Sequence, residues 1–401
     1  MTAAPTARKK FALSPSQRVQ TVAAEIAAGG DEGQQLRHVP QWCIDVLHDQ
    51  GLFNFTLPEP CGGEDASIRE TIEVLEKVSA IDGSVGWNVM IGSEINAMAA
   101  GGMPDELVKE VFLDNPKVVM CGGGGPGTQP SRAVKHNGGW KVWAQSTFMS
   151  GCHNSTWAFQ SAALFDGDRP MLNEQSQPII RTFFLHRDQW EILDTWDVAS
   201  LRGSGSHDVK TEGAWVSPKY EPVQLILPAR HSTNPVFRMP TNVRLSFNKA
   251  GVAIGVARGA LDAVIDLAQN KTPWLASSLL KDRPMAQYRV GEAEATLRAA
   301  KAFLLEAMDG VAASLKDGQP EPSWESMKIA RLACLHAAQS SMHVVDLMHN
   351  TAGTSAIRMN NPLERKLRDA HGAASHRWVG PQLYEEIGKV FLGHQPGPGL
   401  L

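Results

Sequence analysis

The sequence predicts an α+β protein in three parts: an N-terminal α-helical domain over residues 1–116, a central β-barrel or sandwich domain over 117–240, and a C-terminal antiparallel four-helix bundle over 241–401. Three observations give this reading. Apolar residues recur at helical spacing up to about Leu113, short runs bounded by turn residues fill the middle, and long helical stripes return after Arg244.

In the first part the helical period is carried by Ile26 and Ala27, by the run Trp42 to Leu52, and by Ile72, Leu75, Val78 and Ile81. Breakers separate them at Gly29-Gly30, at Leu57-Pro58-Glu59-Pro60 with Gly62-Gly63, and at Gly101-Gly102. The middle part offers VVMC, AVKHNGGWKVWAQ, WAFQSAALF, IIRTFFL and AWVSP as strands. His136-Asn137-Gly138-Gly139, between two alternating runs, is a hairpin signal. In the last part Met285, Tyr288, Leu297, Leu304, Val311 and Leu315 are placed on one stripe. Ile329, Leu332, Leu335, Met342, Val345 and Met348 make another, and Gly318-Gln319-Pro320 parts the two helices.

A chain of 401 residues can build several cores. A net charge of -4 without a long basic run argues against nucleic-acid binding through phosphate neutralisation. The five scattered cysteines contain no CxxC pair, so neither a disulfide framework nor a cysteine zinc site is expected. His343, Asp346 and His349 partly share a helix face, but nothing supplies the remaining ligands, and no metal is expected. The N-terminus has no signal-peptide core, and no window reaches the roughly 18 apolar residues of a membrane helix. A cytoplasmic protein with no membrane partner is the expectation. The run Gly122 to Gly125 lacks the Lys-Ser/Thr ending of a phosphate-binding Walker loop.

Two local patterns carry chemistry. Gly203 and Gly205, with Ser204 and Ser206, make a turn whose N–H groups and hydroxyls suit a phosphate or a flavin edge; taken alone, the run reads first as a tight polar turn between strands. Phe148 and Ser150 put an apolar plane and a hydroxyl two residues apart on one strand face, where the plain alternative is an ordinary strand residue next to a serine. Trp87, Trp143, Trp157 and Trp196 suit either a core or a pocket wall.

Four segments in consistent order resemble the acyl-CoA dehydrogenase-like flavoproteins over roughly residues 15 to 395. They are Gly139-Trp140 through Phe148-Met149-Ser150-Gly151, Trp196 through Leu201-Arg202-Gly203-Ser204-Gly205-Ser206, Pro362 through Arg368-Asp369, and Gly388-Lys389-Val390-Phe391-Leu392-Gly393. The resemblance implies that Phe148, Ser150, Gly151, Trp196, Ser204 and Ser206 line a flavin. It also implies that Arg238 or Arg244 meets the flavin phosphate, across a subunit boundary in a homotetramer.

A dehydrogenase of this family needs a carboxylate base, and counting from Asp369 that position holds Arg377, which cannot accept a proton at neutral pH. Asp262 lies near the other position where the family places its base. The chain instead has Arg368-Asp369-Ala370-His371 followed by His376, which resembles the flavin monooxygenases of this fold. That branch implies reduced flavin from a separate reductase, oxygen carried as a flavin C4a-(hydro)peroxide, and transfer to a small aromatic, amine or sulfur compound. His376, with Ser150 and His371, is then the catalytic candidate, and histidine suits proton handling near neutral pH. Trp87, Ser93, Glu94 and Asn96 are the pocket candidates. No histidine follows Gly83-Ser84-Val85-Gly86-Trp87, unlike several phenol hydroxylases of the branch. The missing Arg-x-x-Phe-Gly segment near Arg283 to Gly291 favours FMNH2 over FADH2. The competing readings are an acyl-CoA dehydrogenase with a displaced base and a non-catalytic flavin-fold protein.

Overall fold

The computed structural model describes residues 11–123, 125–126, 130–220, 230–315, 319 and 321–397. Gly318 and Pro320 of the expected break, and Gly124 of the glycine run, lie outside the described residues.

The N-terminal segment folds into α1 (Pro15–Thr21), α2 (Ala23–Leu36), α3 (Gln41–Asp49), α4 (Ile68–Ile81), α5 (Gly83–Gly102) and the short α6 (Asp105–Val108). Caps set these boundaries. Ser14 and Gln17 form a capping box on α1, the Ser67 hydroxyl caps α4, and the Asp82 carboxylate accepts from Val85 N to start α5. Helix α5 is central: 18 of its 20 residues are buried, so each polar group on it must find a partner in the protein or in a ligand.

The middle segment forms one curled sheet from β1 (Met120–Gly122), β2 (Gly125–Pro126), β3 (Arg132–His136), β4 (Gly139–Thr147), β5 (Trp157–Asp166), β6 (Arg169–Pro170), β7 (Ile180–His186), β8 (Glu191–Leu193) and β9 (Asp208–Val216), in the order β1-β5-β3-β4-β9-β8, with β7 antiparallel to β5. The expected hairpin joins β3 to β4, with Asn137 and Gly138 both at positive φ as a two-residue turn requires. The β4–β9 register slips at Val142/Trp143 and skips Gly213, whose φ of 66° makes the bulge.

The bundle comprises α7 (Thr241–Asn270), α8 (Pro284–Ser314), α9 (Trp324–Ala352), α10 (Pro362–Ala374) and α11 (Leu383–Phe391). Helix α4 lies directly on α7, where a Cβ at Gly255 would meet Glu76 O at 2.4 Å. One hydrophobic core therefore runs through both helical segments, while the sheet keeps a smaller core of its own around Val142, Phe183 and Val209.

The expected α8 stripe is corrected at its start. Leu297, Leu304, Val311 and Leu315 are buried, but Met285 and Tyr288 are exposed. At 3.6 residues per turn Tyr288 lies about 180° from Leu297, whereas Ala286 is nearly in line with it and is buried in its place. Among the described residues no helix is long and apolar enough to cross a membrane, and the five cysteines are free and buried.

Candidate active site

Strand β4 ends at Thr147, so Phe148 and Ser150 lie in the turn behind it and not on a strand face. Phe148 takes a left-handed φ of 58°, and its ring is 63% exposed. Two backbone bonds fasten this turn to the next functional loop: Met149 N donates to His207 O at 3.1 Å, and Gly151 N to Ser204 O at 2.9 Å. The Trp196 ring meets Phe148 edge-on at 5.9 Å and donates its Nε1–H to Arg202 O at 3.2 Å. Two aromatic rings thus form a corner at the mouth of the site.

The backbone beneath Trp196 is held by His207. Its Nδ1 accepts from the N–H groups of both Thr195 and Trp196 at 3.2 Å. Burial, with Arg37 nearby, lowers the His207 pKa, which keeps Nδ1 unprotonated for this task.

A row of buried groups crosses from α5 to this loop. Trp87 Nε1–H donates to Ser150 Oγ at 3.1 Å, Ser150 Oγ and Ser206 Oγ share a bond of 2.7 Å, and Ser206 Oγ and Ser204 Oγ another of 2.7 Å. Asn88 Nδ2 adds bonds to Ser84 O at 3.0 Å and Ser204 O at 3.3 Å. From the bundle side, Asp369 Oδ1 accepts from Leu201 N at 2.6 Å. Burial, then the charge of nearby Asp82, pushes the Asp369 carboxyl up to about 7.

His376 follows the end of α10, with its ring 5.7 Å from that of Trp87. Trp378 N donates to its Nδ1 at 3.3 Å, so the neutral ring carries its proton on Nε2. Burial, then the charges of Lys249 and Arg377, pushes its pKa down to about 3. Deeper in, Glu94 accepts from Lys249 Nζ at 2.7 Å and from Asn248 Nδ2 at 2.7 Å, with the Glu94 and Lys249 side chains each only 2% exposed.

Trp87, Ser150, Gly151, Trp196, Ser204, Ser206 and His376 are therefore brought together, with Phe148 at the rim. Other expected residues are not. His371 Nε2 pairs with Asp346 Oδ1 at 2.9 Å on the half-exposed surface of the bundle, because it lies five residues before His376 and still on α10. Ser93 donates to Met90 O at 3.2 Å. Asn96 donates to Phe53 O and Val118 O and accepts from Met120 N at 3.0 Å, tying α5 to β1. Arg238 donates to Leu315 O at 3.0 Å, at the end of α8. Asp262 is exposed beside Arg258 at 3.5 Å and far too solvated to resemble a buried base. Among the described residues no group of three His, Cys, Asp or Glu residues could hold a metal.

His207 and Lys249 escaped the sequence reading, and Asp369 entered it only as part of the Arg368-Asp369 motif. His207 directly follows the Ser204-Gly205-Ser206 run, and Lys249 is a charge set between the apolar Phe247 and Ala250 of α7; both signals were present. Two large surface grooves, of about 710 and 760 Å³, contain neither His376 nor Ser150.

The site suits a flavin. The exposed Phe148 ring and the edge of Trp196 offer an apolar corner for a flat tricyclic ring, and the hydroxyl row beside it matches that ring's polar edge. Family models describing the acyl-CoA dehydrogenase N-terminal domain and C-terminal domain match residues 13–114 and 248–381. Relatives include an indole-3-acetate monooxygenase from Acinetobacter baumannii, 32% identical over 94% of this chain and 93% of its own. The FADH(2)-dependent resorcinol hydroxylase oxygenase component of Rhizobium sp. is 26% identical over 94% of each chain. Among solved structures, 3-HSA hydroxylase from Rhodococcus sp. RHA1 superposes with a TM-score of 0.85 at 23% identity, covering 97% of this chain and 99% of that one. The chain belongs to the acyl-CoA dehydrogenase family and, within it, to the two-component flavin-dependent monooxygenases, oxidoreductases that draw reduced flavin from a separate reductase.

Proposed function

We propose that this chain oxygenates a small aromatic compound, with His376 as the catalytic histidine and Phe148, Ser150, Gly151, Trp196, Ser204 and Ser206 as the flavin site. The bound reduced flavin would supply two electrons to dioxygen, so that one oxygen atom enters the substrate and the other leaves as water. The observation that carries the assignment is the state of His376. Its Nδ1 is occupied by Trp378 N–H, and its pKa is too low for protonation at neutral pH, so the ring presents a single N–H donor, at Nε2. Such a group holds its proton and positions an oxygen by hydrogen bonding, without delivering a charge. The Trp87 indole, pinned to Ser150, forms a flat wall beside that donor, which suits an aromatic ring. Relatives named for indole-3-acetate and resorcinol support an aromatic substrate.

The displaced-base dehydrogenase reading finds no support at this site. Of the buried carboxylates here, Glu94 is neutralised by Lys249 and Asn248, and Asp369 accepts from Leu201 N. FMNH2 is proposed over FADH2 because residues 283–291 lack the adenosine-contacting segment; a competition titration of the two reduced flavins tests it. A homotetramer is proposed because Trp274 and Leu275, each 91% exposed, and the outward Met285 and Tyr288 leave apolar surface uncovered. Light scattering of the purified protein checks it. Five free thiols suit the cytoplasm.

The deciding experiment combines the chain with a flavin reductase, NADH, FMN or FAD, and labelled dioxygen, using indole-3-acetate and resorcinol as probes. One labelled oxygen atom in the product supports the reading. Complete diversion of the electrons to hydrogen peroxide with every aromatic offered overturns it.

A further inference from the structure

Arg244 lies in the first turn of α7 and is only 5% exposed. Its Cζ sits 4.7 Å over the Phe237 ring, and among the described residues nothing accepts a hydrogen bond from its guanidinium or forms an ion pair with it. The other deeply buried arginines each keep at least two acceptors. Arg331 donates through Nη1 to Asn242 O and Trp378 O, although its Nε and Nη2 have no partner, and Arg18 pairs with Glu64 and donates to Gln50 O and Leu13 O. A guanidinium has five N–H donors, and burying the charge with none of them paired is costly unless a ligand completes it.

The surroundings define that ligand. The carboxylate whose field reaches Arg244 is Glu94, and both of its oxygens are already taken, by Lys249 and Asn248. Two buried cations therefore face one carboxylate, which leaves one positive charge uncompensated. Burial pushes the Arg244 pKa down to about 10, so the group remains a cation at neutral pH. Asn248 is one turn further along α7 on the same face, Lys249 lies close enough to influence His376, and His376 abuts Trp87. The unpaired cation thus belongs to the cluster that carries the catalytic histidine.

We propose that Arg244 is the specificity residue that binds a carboxylate on the substrate, making this enzyme selective for aromatic monocarboxylic acids. The planar fork of a guanidinium matches a carboxylate through two parallel hydrogen bonds. A single carboxylate also cancels the surplus charge, whereas a phosphate dianion would exceed it. Phe237 beneath the guanidinium fixes its plane. The assignment rests on the aromatic oxygenase reading, which it narrows to acids.

The test is calorimetric titration of the flavin-free full-length protein with matched probes: indole-3-acetate against indole-3-ethanol, and phenylacetate against 2-phenylethanol. A hydrogen-bonded charge pair corresponds to roughly a 10- to 100-fold preference for the acid. Arg244→Met should reduce that preference to within about twofold while leaving alcohol binding unchanged, which also shows that the variant is folded. Arg244→Lys should retain part of it. An acid preference that survives in Arg244→Met, or that the wild type lacks in both pairs, overturns the proposal. A second arm compares FMN with riboflavin. If Arg244→Met lowers the affinity for FMN but not for riboflavin, the guanidinium holds a flavin phosphate and the substrate assignment falls. Labelled oxygen incorporation into the neutral alcohols tests the oxygenase reading separately, because it does not depend on Arg244.

Discussion

Trp378 donates its backbone N–H to Nδ1 of His376 at 3.3 Å, and the residue that sets the tautomer is thus only two positions along the chain from the ring it orients. The ring keeps one proton, on Nε2, in a pocket where burial and the charges of Lys249 and Arg377 oppose a second. His376→Ala should cut product formation by about 10²-fold, the ordinary worth of a positioned hydrogen-bond donor. Reduced-flavin affinity should stay close to wild type. Coupled product and peroxide assays would show electrons diverted to peroxide; unchanged coupling would remove His376 from the chemistry.

The same ring has a consequence for acid stability. An unfolded histidine titrates near 6.5, while His376 in the fold titrates at about 3. Above pH 6.5 both states are neutral and the group is silent. Between 6.5 and 3 only the unfolded chain takes up the proton, so stability falls as pH falls. Because the residue is partly exposed, its share between pH 7 and pH 5 is about 1–2 kcal/mol. His376→Asn, which can still accept from Trp378 N, should recover that share in urea melts at pH 5 and change nothing at pH 8. His48 and His153, both pulled down to about 4 by burial, keep the variant acid-sensitive overall.

The Trp87–Ser150 bond is suited to a double-mutant cycle. Ser150→Ala orphans the buried Trp87 N–H and removes one partner of Ser206, at a cost of about 1–3 kcal/mol. Trp87→Phe removes the donor itself. Once that donor is gone, Ser150→Ala should cost less than it does in the wild type, a coupling of about 1 kcal/mol. Strict additivity in thermal or urea denaturation would mean that the indole N–H and the hydroxyl are not bonded in solution.

The sequence carried the layout of this molecule well because the layout rests on local signals. The Asn137-Gly138 turn, the caps at Ser14, Ser67 and Asp82, and the 3.6-residue stripes of α9 each act within a few positions. It failed where position depends on distant partners. Phe148 and Ser150 were placed on a strand, but the bonds from Met149 and Gly151 to His207 and Ser204 turn the chain after Thr147. His371 and His376 looked like a pair, and only the end of α10 at Ala374 separates a surface ion pair from a half-buried donor. Asn96 looked like a pocket residue because nothing local reveals that Phe53, Val118 and Met120 surround it.

Glu94 and Lys249 form a buried pair whose members should be far more costly to remove singly than together. Lys249→Met leaves Glu94 hydrogen-bonded to Asn248 alone, with Arg244 as the remaining cation whose field reaches it, and is expected to destabilise by about 3–5 kcal/mol. Adding Glu94→Gln removes the unbonded carboxylate and should restore part of the loss, because Arg244 then has no counter-charge. The single variant should also raise the His376 pKa, since Lys249 is one of the charges holding it down. Chemical denaturation and ring NMR titration read the two effects independently. A mild loss in the single variant would mean that water reaches the pair.

Asp369 couples α10 to the 201–206 loop through Leu201 N, and its carboxyl is pushed up to about 7. Unfolded, it would titrate near 3.9. Between those values the folded protein holds a proton that the unfolded chain releases, so this group lowers stability as pH rises from 4 to 7, and the loss persists above 7. Asp369→Asn cannot ionise, and its amide oxygen can still accept from Leu201 N. At pH 8 the variant should be more stable than wild type by an amount on the order of 1–3 kcal/mol, and at pH 4 the two should match. Urea denaturation at both values decides it. A variant less stable than wild type at pH 8 would show that the nearby Arg365 and Arg368 charges outweigh the burial of the Asp369 carboxylate.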